Sequence, residues 1–471
     1  MSTMLNIPNE LTLRIISLIH PSDLEAFAVI NKSVHALAKG ALRRHLAFRK
    51  RYSYLRFGYL EDDDSVVQSQ RSNHSNHALL LLASILESPD VAYYPRRIQI
   101  GPCEEEDGIF EIEEHDILLE RQLVVAKQSV PLKKMVAECT LVDDCMKAEM
   151  SDSLCQAENE GAAISLLMTL LPNLQSVNVW SWSTSPEKDR LHGIVRTIAD
   201  ANRDPASSNH GKCLSQLREV RMDHMDSHMG EHIEDYVPFA MLPSMRCLRG
   251  HMICSERLDW PYSLSPQSST VTDLSLEYSA ISASAFEKLF AGIATLKRFT
   301  YDHGGAVVGF VKYEPVAIIN ALCKHASHSL EALDIEVQGY ETDDDDEGLP
   351  DSLRLFTKLK SIRLADTLFQ DLEDLQTLPG GQFYKRAGTN TSYTTARLVD
   401  LLPASVKGFT LIQLMDDEDT RDILDGMAER KATKLPSLKR LTFECPDLLE
   451  QTMKESLQAT GIKLWSWKTP I

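Results

Sequence analysis

No Cys-x-x-Cys pair occurs in the 471 residues, and the nine cysteines are odd in number. That excludes a zinc ribbon or a redox dithiol, and a long chain with so few cysteines is not a disulfide scaffold. They read as small buried hydrophobes of a reducing compartment. Long hydrophobic runs are missing too. The longest nearly uninterrupted apolar stretch, Ala78 to Leu86, falls far short of the ~20 residues that span a bilayer. Positive charge is scarce: 49 Lys plus Arg face 68 Asp plus Glu, for a formal charge of −19. Phosphate backbones and anionic lipids both need a basic footprint, so neither nucleic acid nor membrane is an expected partner. The first six residues lack a basic segment followed by an apolar stretch, so no secretory signal is expected. The expected location is cytoplasmic and/or nuclear.

Catalytic signatures are equally sparse. There is no Gly-x-Ser-x-Gly elbow and no phosphate-binding Gly-x-x-x-x-Gly-Lys loop, and Gly304-Gly305 with Gly309 has the wrong spacing for a dinucleotide turn. His224, His228 and His232 would share one face of a helix and could then hold zinc. Gly230 and the surrounding polar residues argue against that helix. The expectation is a non-catalytic protein without cofactor or metal.

What the chain does have is a repeat. Leu174, Val177 and Val179 stand at i, i+3 and i+5, and so do Leu217-Val220-Met222, Val271-Leu274-Leu276 and Leu296-Phe299-Tyr301. The spacing returns at Leu330-Leu333-Ile335, Leu359-Ile362-Leu364, Val406-Phe409-Leu411 and Leu438-Leu441-Phe443. Weaker versions surround Leu248 and Ile98. From Val177 onward, successive central residues are 25 to 47 apart, which suits one strand plus one helix per unit. Residues i+3 and i+5 of a strand share one face and point into a common core. A single unit cannot bury that face alone; stacked units can. The pattern resembles the L-x-x-L-x-L strand of irregular leucine-rich repeats, although the Asn or Cys that follows in that family is mostly absent. The resemblance implies an α/β solenoid over residues 95–471, carrying polar insertions.

The first fifty residues read as three short helices. Leu11, Ile15, Ile16, Leu18 and Ile19 line the first, which Pro8 can open and Pro21 ends. Ser22 and Glu25 have capping-box spacing for a second helix bearing Leu24, Phe27 and Ala28. A third runs from about Ser33 to Phe48. The segments Ile7-Pro8-Asn9-Glu10-Leu11, Ile15-Ile16, Pro21-Ser22-Asp23-Leu24 and Ile30-Asn31-Lys32 keep the order and spacing of an F-box. Many members carry a Trp soon after the Asn-Lys pair; Val34 and His35 stand there instead. The resemblance implies a three-helix F-box at residues 1–50 that docks a Skp-family adaptor and, through it, a cullin scaffold of an SCF-type ubiquitin ligase. Ile7, Pro8, Leu11, Ile15, Ile16 and Leu24 are the expected adaptor contacts. Residues 51–94 would be a connecting helical segment. The basic run Arg43 to Arg51 could serve as a nuclear signal, or it is the wet face of the third helix.

With i+3 and i+5 inward, i+2, i+4 and i+6 form the exposed side of the sheet, which solenoids use for binding. Those positions hold eight acidic and four basic residues. Trp180, Arg221, Asp223, Glu277, Arg298, Asp302, Asp334 and Arg363 are therefore the expected contacts with a protein substrate bearing a basic or mixed segment. Trp180 and Trp182 could be aromatic anchors, and Trp465 and Trp467 could close the C-terminal end.

Overall fold

The computed structural model describes residues 7–57, 77–101, 114–155, 160–180, 186–203, 213–224, 231–255, 263–304, 311, 313–337, 351–365, 375–378, 382–385, 397–412, 423–443 and 449–466. The acidic runs at 61–64, 104–107 and 343–346, as well as Trp182, His228 and Trp467, lie outside them. The chain divides into two compact units: Met1–Arg221 with Leu242–Ser244, and Met222–Met241 with Met245–Ile471.

The first unit opens with α1 (Asn9–Leu18), α2 (Leu24–Ala28) and α3 (Lys32–Tyr52). Ile16, Leu24, Ala28 and Ala38 are buried together, and Ile19, Phe27, Leu37, Ala41 and Leu42 pack around them. These positions follow helical spacing on each segment, so the three inward stripes meet. Pro8 stands just before α1, as its missing N–H allows. The Asn31 side chain accepts from the Val34 N–H at 2.8 Å and caps α3. The Ser22–Glu25 capping box does not form. Ser22 is held by His20 Nδ1 at 2.7 Å, and α2 begins after Asp23 with no side-chain cap.

Strands β1 (Tyr54–Phe57), β2 (Arg97–Ile100) and β3 (Ser176–Trp180) then pair in parallel. Thus β1 begins sheet pairing inside the segment read as connecting helix. Helices α4 (Ala78–Glu87), α5 (Glu114–Glu138), α6 (Asp144–Cys155), α7 (Glu160–Met168) and α8 (Pro186–Arg203) complete the layer. All nine residues of α7 are buried, because α4, α6 and α8 all pack against it. That explains its lack of a polar face. Its Glu160 is buried yet satisfied: it engages His77 Nδ1 at 2.9 Å and accepts from the Ala78 N–H at the start of α4. Strand β4 (Glu219–Asp223) lies where the two units divide.

The second unit holds β6 (Cys247–His251), β8 (Asp273–Ser279), β9 (Arg298–His303), β10 (Ala332–Val337), β11 (Ser361–Ala365), β14 (Gly408–Ile412), β15 (Arg440–Phe443) and β16 (Lys463–Ser466). Each pairs in parallel with the next. Two side ladders accompany them: β5 (Glu231–His232) with β7 (Ile253–Cys254), and β12 (Leu375–Leu378) antiparallel to β13 (Gln382–Lys385). The helices between strands include α9 (Val237–Ala240), α10 (Ala283–Gly292) and α11 (Pro315–Ala326).

One hydrogen-bond motif sets the register. The carbonyl at i+1 of one repeat accepts the N–H groups of i+1 and i+2 of the next. Thr272 O takes Lys297 and Arg298, Lys297 O takes Glu331 and Ala332, and Lys360 O takes Lys407 and Gly408. With the backbones locked this way, residues i, i+3 and i+5 all turn inward: Leu296, Phe299 and Tyr301 are each at most 2% exposed. Phe299 meets Phe286 and Phe290 of α10 edge-on at 5.3 Å, a favoured aromatic geometry. The Tyr301 hydroxyl is satisfied inside this core by Ile281 N–H, Ser279 O and His303 Nδ1.

Candidate protein-interaction surfaces

In the first unit, α1 presents Leu11, Leu13, Ile15 and Leu18 to solvent, with exposures of 38–71%. Val29 and Ile30, which follow α2, are exposed as well. Pro8 is exposed and Ile7 half-buried. Ile16 and Leu24 differ from their four companions in the expected contact set: they are 7% and 6% exposed and form the core of the helical module. The helix therefore has one packed apolar side and, through Leu11, Ile15 and Leu18 at i, i+4 and i+7, one bare side, with Leu13 across the helix from those three. Such a bare side is the usual mark of a protein contact.

The basic run on α3 is largely engaged within the same unit. Arg44 donates to Ser88 Oγ at 3.0 Å and covers the Phe48 ring, Arg49 pairs with Glu25 at 2.7 Å, and Arg51 covers Tyr52. His45 bridges the Tyr94 hydroxyl at 3.0 Å and Glu25 at 3.5 Å. Burial holds its pKa below the ordinary imidazole value, against the pull of Glu25.

Also in the first unit, Trp180 ends β3 half-buried, and its indole N–H has no acceptor among the described residues. Arg221 is half-buried too. A cavity of about 690 Å³ is lined by residues including Leu86, Met135, Leu166, Cys139 and Cys213. Burial pushes the Cys213 thiol up to about 11, and the thiol donates to Thr169 O. A thiol so protonated is a poor nucleophile.

In the second unit, the other expected substrate contacts separate into three groups. Asp223 is buried at 4% exposure. Arg298 is exposed and ion-paired with Asp273 across the β8–β9 step. Glu277, Asp302, Asp334 and Arg363 cluster on β8 to β11, joined by Glu336. Register places Asp302 opposite Glu336, and Asp334 opposite Arg363. Arg363 Nη1 reaches Asp334 Oδ1 at 3.0 Å and Glu336 Oε2 at 2.7 Å. Burial opposes its charge, but the two carboxylates outweigh burial and hold its pKa above the usual value. Burial, then the neighbouring Glu336 charge, pushes Asp302 up to about 6. Asp334 is raised as well, chiefly by burial. Arg363 thus pairs with two carboxylates, and Asp302 and Glu277 add negative charge beside them, an arrangement that favours a cationic visitor.

The histidine cluster takes a different form from a shared helix. His224 follows β4, while His232 lies on β5 with Nδ1 3.3 Å from Cys254 Sγ. No group of three or more metal-ligating side chains occurs among the described residues. None of the helices, among the described residues, is long and apolar enough to cross a membrane.

Within each unit parallel strands alternate with helices, the architecture of a repeat protein. The leucine-rich repeat domain description matches residues 68–409, more than half of the sequence, and the chain belongs to that family. Among solved structures it is similar to the yeast Rad7 and Elc1 complex, at 12% identity over 74% of this chain and 93% of that one, with a TM-score of 0.25. It is also similar to the TLR13–ssRNA13 complex, at 14% identity over 65% of this chain and 48% of that one, also with a TM-score of 0.25. No curated protein matches the sequence.

Proposed function

We propose that the protein is the substrate-recognition subunit of an SCF-type ubiquitin ligase. In this reading α1 to α3 form an F-box that docks a Skp-family adaptor, and the repeats capture a protein substrate. The observation that carries it is the two-sided α1. Ile16 closes the module's own core while Leu11, Leu13, Ile15 and Leu18 stay bare beside exposed Pro8. Three helices of this size cannot hide all their apolar surface, so another protein's helices would complete it. The subunit would break no bond itself; it would raise the effective concentration of substrate near a charged ubiquitin carrier. Glu277, Asp302, Asp334 and Glu336 around Arg363 would receive a basic or mixed segment of the substrate, with electrostatics selecting the encounter. Trp180 and Arg221 would contribute contacts on the first unit. The test is co-purification from cells of the tagged full chain: adaptor and cullin together support the reading. A second reading, a repeat scaffold without a role in ubiquitin transfer, would bring down neither.

A further inference from the structure

The exposed side of the second unit's sheet, taken with the turns that enter its later strands, is polarised along the strand direction. The acidic cluster of Glu277, Asp302, Asp334 and Glu336 sits toward the strand ends. The strand-entry edge is the reverse. Positions i+1, aligned by the shared-carbonyl motif, hold Lys360, Lys407 and Lys439, each just before its strand. The next row places Arg440 opposite Lys463, and Lys358 stands just before β11. All six are exposed. Lys360 pairs with Glu331. No carboxylate among the described residues forms an ion pair with the other five. Gly408 leaves room for Arg440: a Cβ there would come within 3.3 Å of its guanidinium. The local field is registered by Glu331, whose pKa is held down by its bond and charge contact with Lys360, then by Lys297 and Lys358.

We propose that this strand-entry edge of β11, β14, β15 and β16 is a docking surface for an acidic peptide segment of a partner protein. Neighbouring strands lie about 4.8 Å apart, so the four strands span about 14 Å, the length of four or five extended residues. Carboxylates on alternate residues of such a segment would each meet a flexible lysine or arginine. A nucleic acid fits less well: the edge is short, and the chain around it carries −19 overall, which repels a long polyanion. This surface lies on the opposite edge from the proposed basic-segment site, and it does not depend on adaptor docking.

The test is fluorescence anisotropy of a labelled deca-glutamate peptide titrated with the full chain at about 50 mM salt, where charge contacts are weakly screened. Saturable binding is expected. It should weaken about tenfold or more in Lys407→Glu plus Lys439→Glu, weaken at least about threefold in Arg440→Gln plus Lys463→Gln, and stay within about twofold in Glu87→Lys, an exposed change at the end of α4 in the first unit. Circular dichroism checks each fold; if one pair fails to fold, the other decides. No binding, or unchanged binding in the folded variants, would overturn the proposal. So would equally tight binding of labelled oligo-thymidine with the same loss in the variants, which would mark a general polyanion site.

Discussion

Arg363 reaches Asp334 and Glu336 at once, at 3.0 and 2.7 Å, from the strand beside both. Its removal leaves these carboxylates facing Asp302 and Glu277 without their guanidinium. Arg363→Met is expected to destabilise the second unit by about 2 kcal/mol at neutral pH, in line with loss of a charged hydrogen-bonding partner. The penalty should shrink at pH 5, where raised carboxylates take up protons. Urea denaturation of the variant and wild type at both values checks this.

Asp302 and its chain neighbour His303 pull stability in opposite directions. Burial and Glu336 raise Asp302 from 3.8 to about 6, so the folded state holds the extra proton between those values. Its contribution is present at low pH and is lost as pH rises through about 6. Burial lowers His303 from 6.5 to about 4, so there the unfolded state holds the extra proton. Stability from that group is lost as pH falls through the same interval. Asp302→Asn should therefore steepen the acid loss between pH 6.5 and 4, and His303→Gln should flatten or reverse it. Denaturation midpoints across that range give the two slopes.

Gly250 is a close approach rather than a flexible point. A Cβ there would lie 2.4 Å from both Ile253 Cγ1 and the Tyr236 hydroxyl, and that hydroxyl donates to the Arg249 carbonyl. Gly250→Ala must push both aside, at a cost of about 1–3 kcal/mol. A lowered thermal midpoint is the expected result.

Asn31 holds the start of α3 through a single bond to the Val34 N–H. Asn31→Ala should cost about 1 kcal/mol, and Asn31→Asp or Asn31→Ser should restore most of it. Proteolysis within residues 7–57, compared across the three variants, reads the effect locally.

Much of this fold is legible from apolar spacing, because i, i+3 and i+5 must all turn inward once the strands pair. Strands β2, β3, β4, β6, β8 to β11, β14 and β15 stand where that spacing occurs. Two other strands of the main parallel sheet escape it. At β1, buried Tyr52 occupies the place of the leading Leu, with Leu55 and Phe57 behind it; at β16, Gly461 stands there instead. The surfaces are less legible. Residues 16 and 24 have the same apolar character as 11 and 15, and only helix packing decides which pair is covered. Counting charges at i+2, i+4 and i+6 finds an acidic surplus but misses its direction. The lysines at i+1 are lined up at the strand entries by the shared-carbonyl bonds, and the neighbours of Arg363 are set by strand register.

Adaptor docking by the bare side of α1 is tested most directly by gel filtration of the purified full chain with a purified Skp-family adaptor. Wild type is compared with Leu11→Asp plus Ile15→Asp, two changes on the exposed side that leave Ile16 and Leu24 in the core. Co-elution of a stoichiometric complex by wild type, lost in a variant of unchanged circular dichroism, is the predicted result. Failure of wild type to co-elute, or equal binding by the folded variant, would contradict it.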